Sequence, residues 1–163
     1  MPRATVVIAG LCMLVGQCAT PSGVQEGEPA PNFAVRFDHK GCHYEYLDLF
    51  KGTYSQIGFS MPVPISLTPQ QRYNLFRDIV DSGFFTLPSK QFGKVTDSSD
   101  VYELEARNGE QYNRVAWTIT WVIQTKEGKP ILELLEGIDD LLRHHPDVPK
   151  TGDGCNGGPP AVR

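Results

Sequence analysis

From Phe33 to Asp38 the chain reads FAVRFD, apolar positions alternating with others, which is the period of a strand with one buried face. After a turn at Lys40-Gly41 the alternation resumes in HYEYLDLFK, His43 to Lys51. Tyr44, Tyr46 and Phe50 share one parity, interrupted by Asp48, while Leu47 and Leu49 take the other. These two stretches predict a hairpin, and Lys51-Gly52 turns the chain into a third short strand, TYSQIGF. The period then lengthens. Thr68-Pro69-Gln70-Gln71 supplies an N-cap hydroxyl, a proline at the first helical position and a glutamine at the third, the arrangement of a capping box. Leu75, Phe76, Ile79 and Val80 follow at helical spacing. Gly83 fits the left-handed residue that stops a helix, with Phe84 and Phe85 turning into the core behind it.

A second hairpin is signalled by DVYELEAR and EQYNRVAW on either side of Asn108-Gly109, a dipeptide suited to positive φ angles in a tight turn. Tyr102, Leu104 and Ala106 take one face, and Glu103, Glu105 and Arg107 the other. The stretch WTITWVIQT, Trp117 to Thr125, is apolar on alternate residues, which predicts a strand running past its partner. Beyond a turn at Lys126 to Lys129, Pro130 opens a helix with Ile131, Leu134, Leu135, Ile138, Leu141 and Leu142 as its buried stripe. Arg143, His144 and His145 suit its C-terminal dipole, and Pro146 ends it. Hairpin, helix, hairpin, helix is the order of an α+β two-layer sandwich: an antiparallel sheet of four to five strands with two helices on one face.

The first residues change the picture of where this domain works. Arg3 followed by the apolar stretch Ala4 to Val15 and then small residues has the parts of an export signal. As a helix that stretch covers about 18 Å, short of the roughly 30 Å hydrocarbon core. Val15-Gly16-Gln17-Cys18 resembles a lipobox, with glutamine before the cysteine, so Cys18 is the expected lipid-attachment residue; the alternative is ordinary cleavage there and a secreted soluble protein. ATPSGVQEGEPAPN, Ala19 to Asn32, has the composition of a flexible tether. The expected organisation is signal peptide 1–17, tether 18–32, one domain 33–145, and a Gly/Pro-rich tail 146–163. Ala19 after the cysteine, rather than an aspartate, favours the outer over the inner membrane, with the domain facing the periplasm.

Without residues 1–17 the chain carries 14 basic against 19 acidic side chains, a formal charge of −5. No basic stripe runs along the sequence, so neither nucleic acid nor direct headgroup binding is expected. Cys12 leaves with the signal. If Cys18 takes lipid, Cys42 and Cys155 remain as the expected disulfide of an oxidising compartment, against the alternative of a free Cys155.

Candidate chemistry is sparse. Asp38, His39, Cys42 and His43 are metal-ligand types close together, but a structural zinc site wants a second knuckle, which only His144, His145 and Asp147 offer; no metal or other cofactor is expected. Ser98-Ser99 beside Asp97 and Asp100 lacks a nearby histidine and reads as turn chemistry. Asp139 and Asp140 are adjacent on a helix and diverge by about 100°. Trp117 and Trp121 read first as core; a strand running past its partner would instead make them anchors on an unpaired edge, and they are the candidate partner-binding residues.

LTPQQRYNLFRDIVDSGFFTLP, then DSSDVYELEARNGEQYNRVAW and a Leu-rich helix with Ile138-Asp139, together resemble a group of small bacterial envelope domains of unknown function. More distantly the chain is similar to emfourin-type inhibitors of protealysin-like metalloproteases. The likeness spans roughly residues 33–143 and implies the two-layer fold and an inhibitor-like module. GCHYEYLDLF and TITWVIQT depart from that pattern, so no protease-contacting role carries over to a numbered residue. The expectation is an exported, lipid-anchored envelope protein, a non-catalytic binding module for an envelope protein partner, with a protease-inhibitor-like module second and a small envelope hydrolase third.

Overall fold

The computed structural model describes residues 27–41, 44–56, 61–96 and 99–148. Its elements are β1 (Ala34–Lys40), β2 (Glu45–Asp48), β3 (Thr53–Gln56), β4 (Val63–Pro64), α1 (Pro69–Asp81), β5 (Gln91–Phe92), β6 (Val101–Asn108), β7 (Gln111–Thr118), α2 (Ile119–Gln124) and α3 (Lys129–His144). A single 3-10 turn, Phe84–Thr86, follows α1. The strands form one sheet in the order β4-β3-β2-β1-β6-β7-β5, antiparallel throughout except where β5 runs parallel to β7. The fold is α+β, as expected, but the sheet is mixed and has seven strands rather than four to five, and there are three helices rather than two. The additions are short: β4 and β5 have two residues each and α2 has six.

Register explains the layers. Val35 faces Ala106 and Phe37 faces Leu104, and the latter pair continues as one row through Leu47 to Tyr54 on one side and to Val115 on the other. These residues are buried with Leu75, Phe76 and Ile79 of α1 and Ile131, Leu134, Leu135, Ile138 and Leu142 of α3 in one core. Because side chains alternate across a strand, Arg36, Asp38, Glu103, Glu105 and Arg114 emerge on the opposite face.

The capping box forms: Thr68 Oγ1 accepts from the Gln71 amide at 3.2 Å, and Gln71 Oε1 accepts from the Thr68 amide at 2.9 Å. Gly83 has φ 72°, the left-handed stop. Phe84 is buried and Phe85 half-buried, while Val80, expected on the inner face, is exposed.

Two further expectations need correction. The Asn108-Gly109 turn is displaced by one residue: Asn108 pairs with Gln111, so the loop is Gly109-Glu110, and positive φ occurs only at Gly109. Asn108 is instead buried, its Oδ1 accepting the Ala30 amide at 2.7 Å. The long strand expected through Trp117 and Trp121 ends at Thr118, whose hydroxyl caps α2 by accepting from the Trp121 amide. Alternation of bulky residues in WTITWVIQT suited a strand, yet Val122 is the residue that the short helix buries. Residues just outside 33–145 also contact the folded body. Arg72 donates to the carbonyls of Ala30 and Pro31, Asn32 exchanges two hydrogen bonds with Gly109, and Val148 joins the core.

Candidate functional site

The helix-free face of the sheet is built from a row of charges set by register. Asp48 of β2 faces Arg36 of β1, which faces Glu105 of β6, which faces Arg114 of β7. Arg36 donates from Nη1 to Glu105 at 2.7 Å and from Nε to Asp48 at 3.4 Å, and stacks on the Phe50 ring at 5.4 Å. Burial works against the charge on Arg36, but Asp48 and Glu105 outweigh it and its pKa is raised. Glu103 binds Arg114 at 2.6 Å and Asp38 binds Lys40 at 3.0 Å. In each case the hydrogen bond to the carboxylate raises the pKa of the base.

Asp48 is the fixed point of this face. It is fully buried, and its Oδ1 accepts the amides of Phe50 and Lys51, closing the turn between β2 and β3. Its Oδ2 accepts from Tyr46 Oη at 3.1 Å. Burial first, then this bond, pushes the Tyr46 phenol up. A carboxylate satisfied by backbone amides orients Arg36, so the exposed charges around it have fixed directions. The parity break at Asp48 was visible in the sequence and could have marked it. Arg36 carried no such signal.

Tyr112 and Arg107 complete the face, with Arg107 over Phe50 at 5.8 Å and Tyr112 52% exposed. The arrangement is a platform of paired charges and aromatic rings that offers directed hydrogen bonds to something laid across it.

The sequence-selected residues are scattered. Cys18, Cys42 and Cys155 lie outside the described residues, as do His43, Asp97 and Ser98. Trp117 is wholly enclosed, meeting Phe84 edge to face, and is core rather than an anchor. Trp121 is half-buried with its ring 4.7 Å from Phe92. The strand edge expected beside them is occupied: β5 pairs with Ala116 and Trp117. His39 stacks on Tyr102 at 4.2 Å near Asp100, whereas His145 bonds the Ser66 carbonyl through Nε2 and accepts the Asp147 amide at Nδ1. Among the described residues no group of three metal-ligand side chains converges. Asp139 and Asp140 pair with Arg143 and His144 along α3.

A cleft of about 280 Å3 lies between α1 and α3, lined in part by Asn74, Asp78, Gly137 and Asp140. Burial, then Asp81, pushes the Asp78 carboxyl up. No protein-family model matches the chain, and no curated protein matches it in sequence. No helix among the described residues is long and apolar enough to cross a membrane.

Proposed function

We propose that this is a lipid-anchored envelope protein whose domain binds a protein partner through the helix-free face of its sheet. Its supporting observation is the asymmetry of the sheet: one face is sealed by α1 and α3, and the other is held open with its charges already paired around Asp48 and Arg36. A partner laid across such a face meets rigid donors and acceptors and displaces little bound charge. Cys18 would hold the molecule at the bilayer.

Two measurements test the two parts. Metabolic labelling with an alkyne fatty acid should mark the wild-type chain and not Cys18→Ser; label on both, or on neither, sinks the anchor. A photo-reactive residue in place of Tyr112 should cross-link in cells to a discrete partner, while one at the exposed Glu136 on α3 should not. Equal yields from the two sites would sink the assignment of the face. Tight inhibition of a protealysin-like metalloprotease by the purified chain would name the partner class as the emfourin resemblance implies.

A further inference from the structure

Folding collects at one corner what the sequence keeps apart. Gln91 and Phe92 pair with Ala116 and Trp117, so the segment from Lys90 to Val95 crosses the start of α2. It passes so close that a Cβ on Gly93 would sit 2.9 Å from Trp121 Cβ. The Phe92 and Trp121 rings lie 4.7 Å apart, Lys90 Nζ sits 4.8 Å over Phe92, and Lys94 and the 52% exposed Val95 follow directly. Of the other described lysines, Lys40 pairs with Asp38, Lys51 with Asp48 and Lys129 with Glu133, while Lys126 in the turn after α2 is exposed with no ion pair among the described residues. Lys90 and Lys94 have no acidic partner among the described residues. The corner therefore joins half-buried aromatic rings to two uncompensated flexible cations in a chain that is acidic overall.

Although the absence of a basic stripe in the sequence argued against headgroup contact, we infer that this corner of β5 and α2, where folding gathers two lysines, rests on an anionic lipid surface. Aromatic rings with a polar edge settle at headgroup depth, lysine stems reach from apolar ground to anionic headgroups, and the contact needs little area. A stable protein interface needs about 800 Å2 from each partner, more than two partly covered rings supply. Chain length permits the pose. Ala30 is tied to Asn108 at the far end of the β6–β7 hairpin, about 23 Å from the corner along β6. The twelve residues from Cys18 to Ala30 reach about 40 Å at most. Anchored and seated together, the domain lies with its β7 edge along the bilayer, and the polar face of the sheet stays open to a partner. This pose rests on the tethered reading for its location, whereas the lipid contact belongs to the folded domain alone.

The exported chain carrying Cys18→Ser, which cannot be acylated, isolates that contact from the anchor. It should sediment with vesicles of phosphatidylcholine mixed with phosphatidylglycerol, release as salt rises, and ignore phosphatidylcholine alone. Each lysine at a charged leaflet changes partition about fivefold, so Lys90→Glu with Lys94→Glu should weaken binding more than tenfold without altering the circular dichroism. Brominated acyl chains should quench emission from Trp121, and Trp121→Phe should abolish the quenching while sedimentation persists. A folded chain that ignores anionic vesicles, binding indifferent to the double charge reversal, or cross-linking from position 94 to protein instead of lipid would each overturn the inference. Fatty-acid labelling of the wild type reads the anchor separately, so loss of one leaves the other standing.

Discussion

Asn113 is the residue whose loss should be felt most relative to its size. It is 2% exposed on β7, and its side chain bonds mostly to the segment that follows α1. Nδ2 donates to the Phe84 carbonyl at 2.7 Å and the Leu87 carbonyl at 2.8 Å, while Oδ1 accepts from the Arg114 amide at 2.9 Å and from the Ser89 hydroxyl. Asn113→Ala leaves the Phe84 carbonyl with only the Leu87 amide at 3.2 Å, takes the Nδ2 donor from the Leu87 carbonyl, and removes the acceptor of the Ser89 hydroxyl. With about 1 kcal/mol for each of the three bonds lost to the segment after α1, the expected cost is about 3 kcal/mol. For a domain of this size that lowers Tm by about 10 °C. Urea unfolding followed by tryptophan emission measures it, since Trp117 lies against Phe84. Asn113→Asp sharpens the test. At neutral pH it sets a carboxylate oxygen against two carbonyls, so its carboxyl is raised in the folded state, and protonation restores one donor. The deficit relative to wild type should therefore be largest at pH 7 and shrink as pH falls through that raised value. An alanine variant within 1 kcal/mol of wild type, or an aspartate variant whose deficit is flat from pH 8 to pH 4, would refute the reasoning.

Gly128→Ala should destabilise by about 2–3 kcal/mol despite an ordinary φ of −75°, because its Cβ would collide with the Val122 carbonyl oxygen, in backbone that cannot step aside; a thermal melt unchanged from wild type would contradict this. Trp117→Phe should cost less than half of what Trp117→Ala costs, the latter about 3–5 kcal/mol, because Nε1 is buried without an acceptor and its removal strands nothing; equal losses in urea titrations would show that the indole N–H matters. Asp78→Asn should stabilise slightly at neutral pH. The wild-type carboxyl is raised by burial and by Asp81, so its charge opposes folding above the folded-state pKa, and the gain should vanish below the unfolded value near 3.8. A gain that persists at pH 3 would assign the effect to something other than ionisation.

The core was legible because it obeys two periods. Val35, Phe37, Leu104 and Ala106 alternate, and Ile131, Leu134, Leu135 and Ile138 recur at helical spacing, so burial follows from position alone. Caps at Thr68 and Gly83 were legible because their chemistry is local. WTITWVIQT misled because a six-residue helix buries only one of its side chains, Val122, and leaves no stripe to read. Asn108 looked like turn chemistry, but its partner is Ala30, 78 residues away. The candidate face was hidden for the same reason: Arg36 meets Asp48 and Glu105 only after three strands align, and a residue's neighbours across a sheet are not written beside it in the chain.

The chain enters the domain at β1, and β1 is not an edge. It is flanked along four residue pairs by β2 and along seven by β6, with Ala30 clasped just ahead of it. A pull on the chain ahead of β1 therefore acts along the axis of an interior strand, loading both ladders in shear, so their bonds must give way together instead of parting one by one. Were the molecule moored through Cys18 as proposed, jostling by its surroundings would have to break both ladders at once before the body unravels.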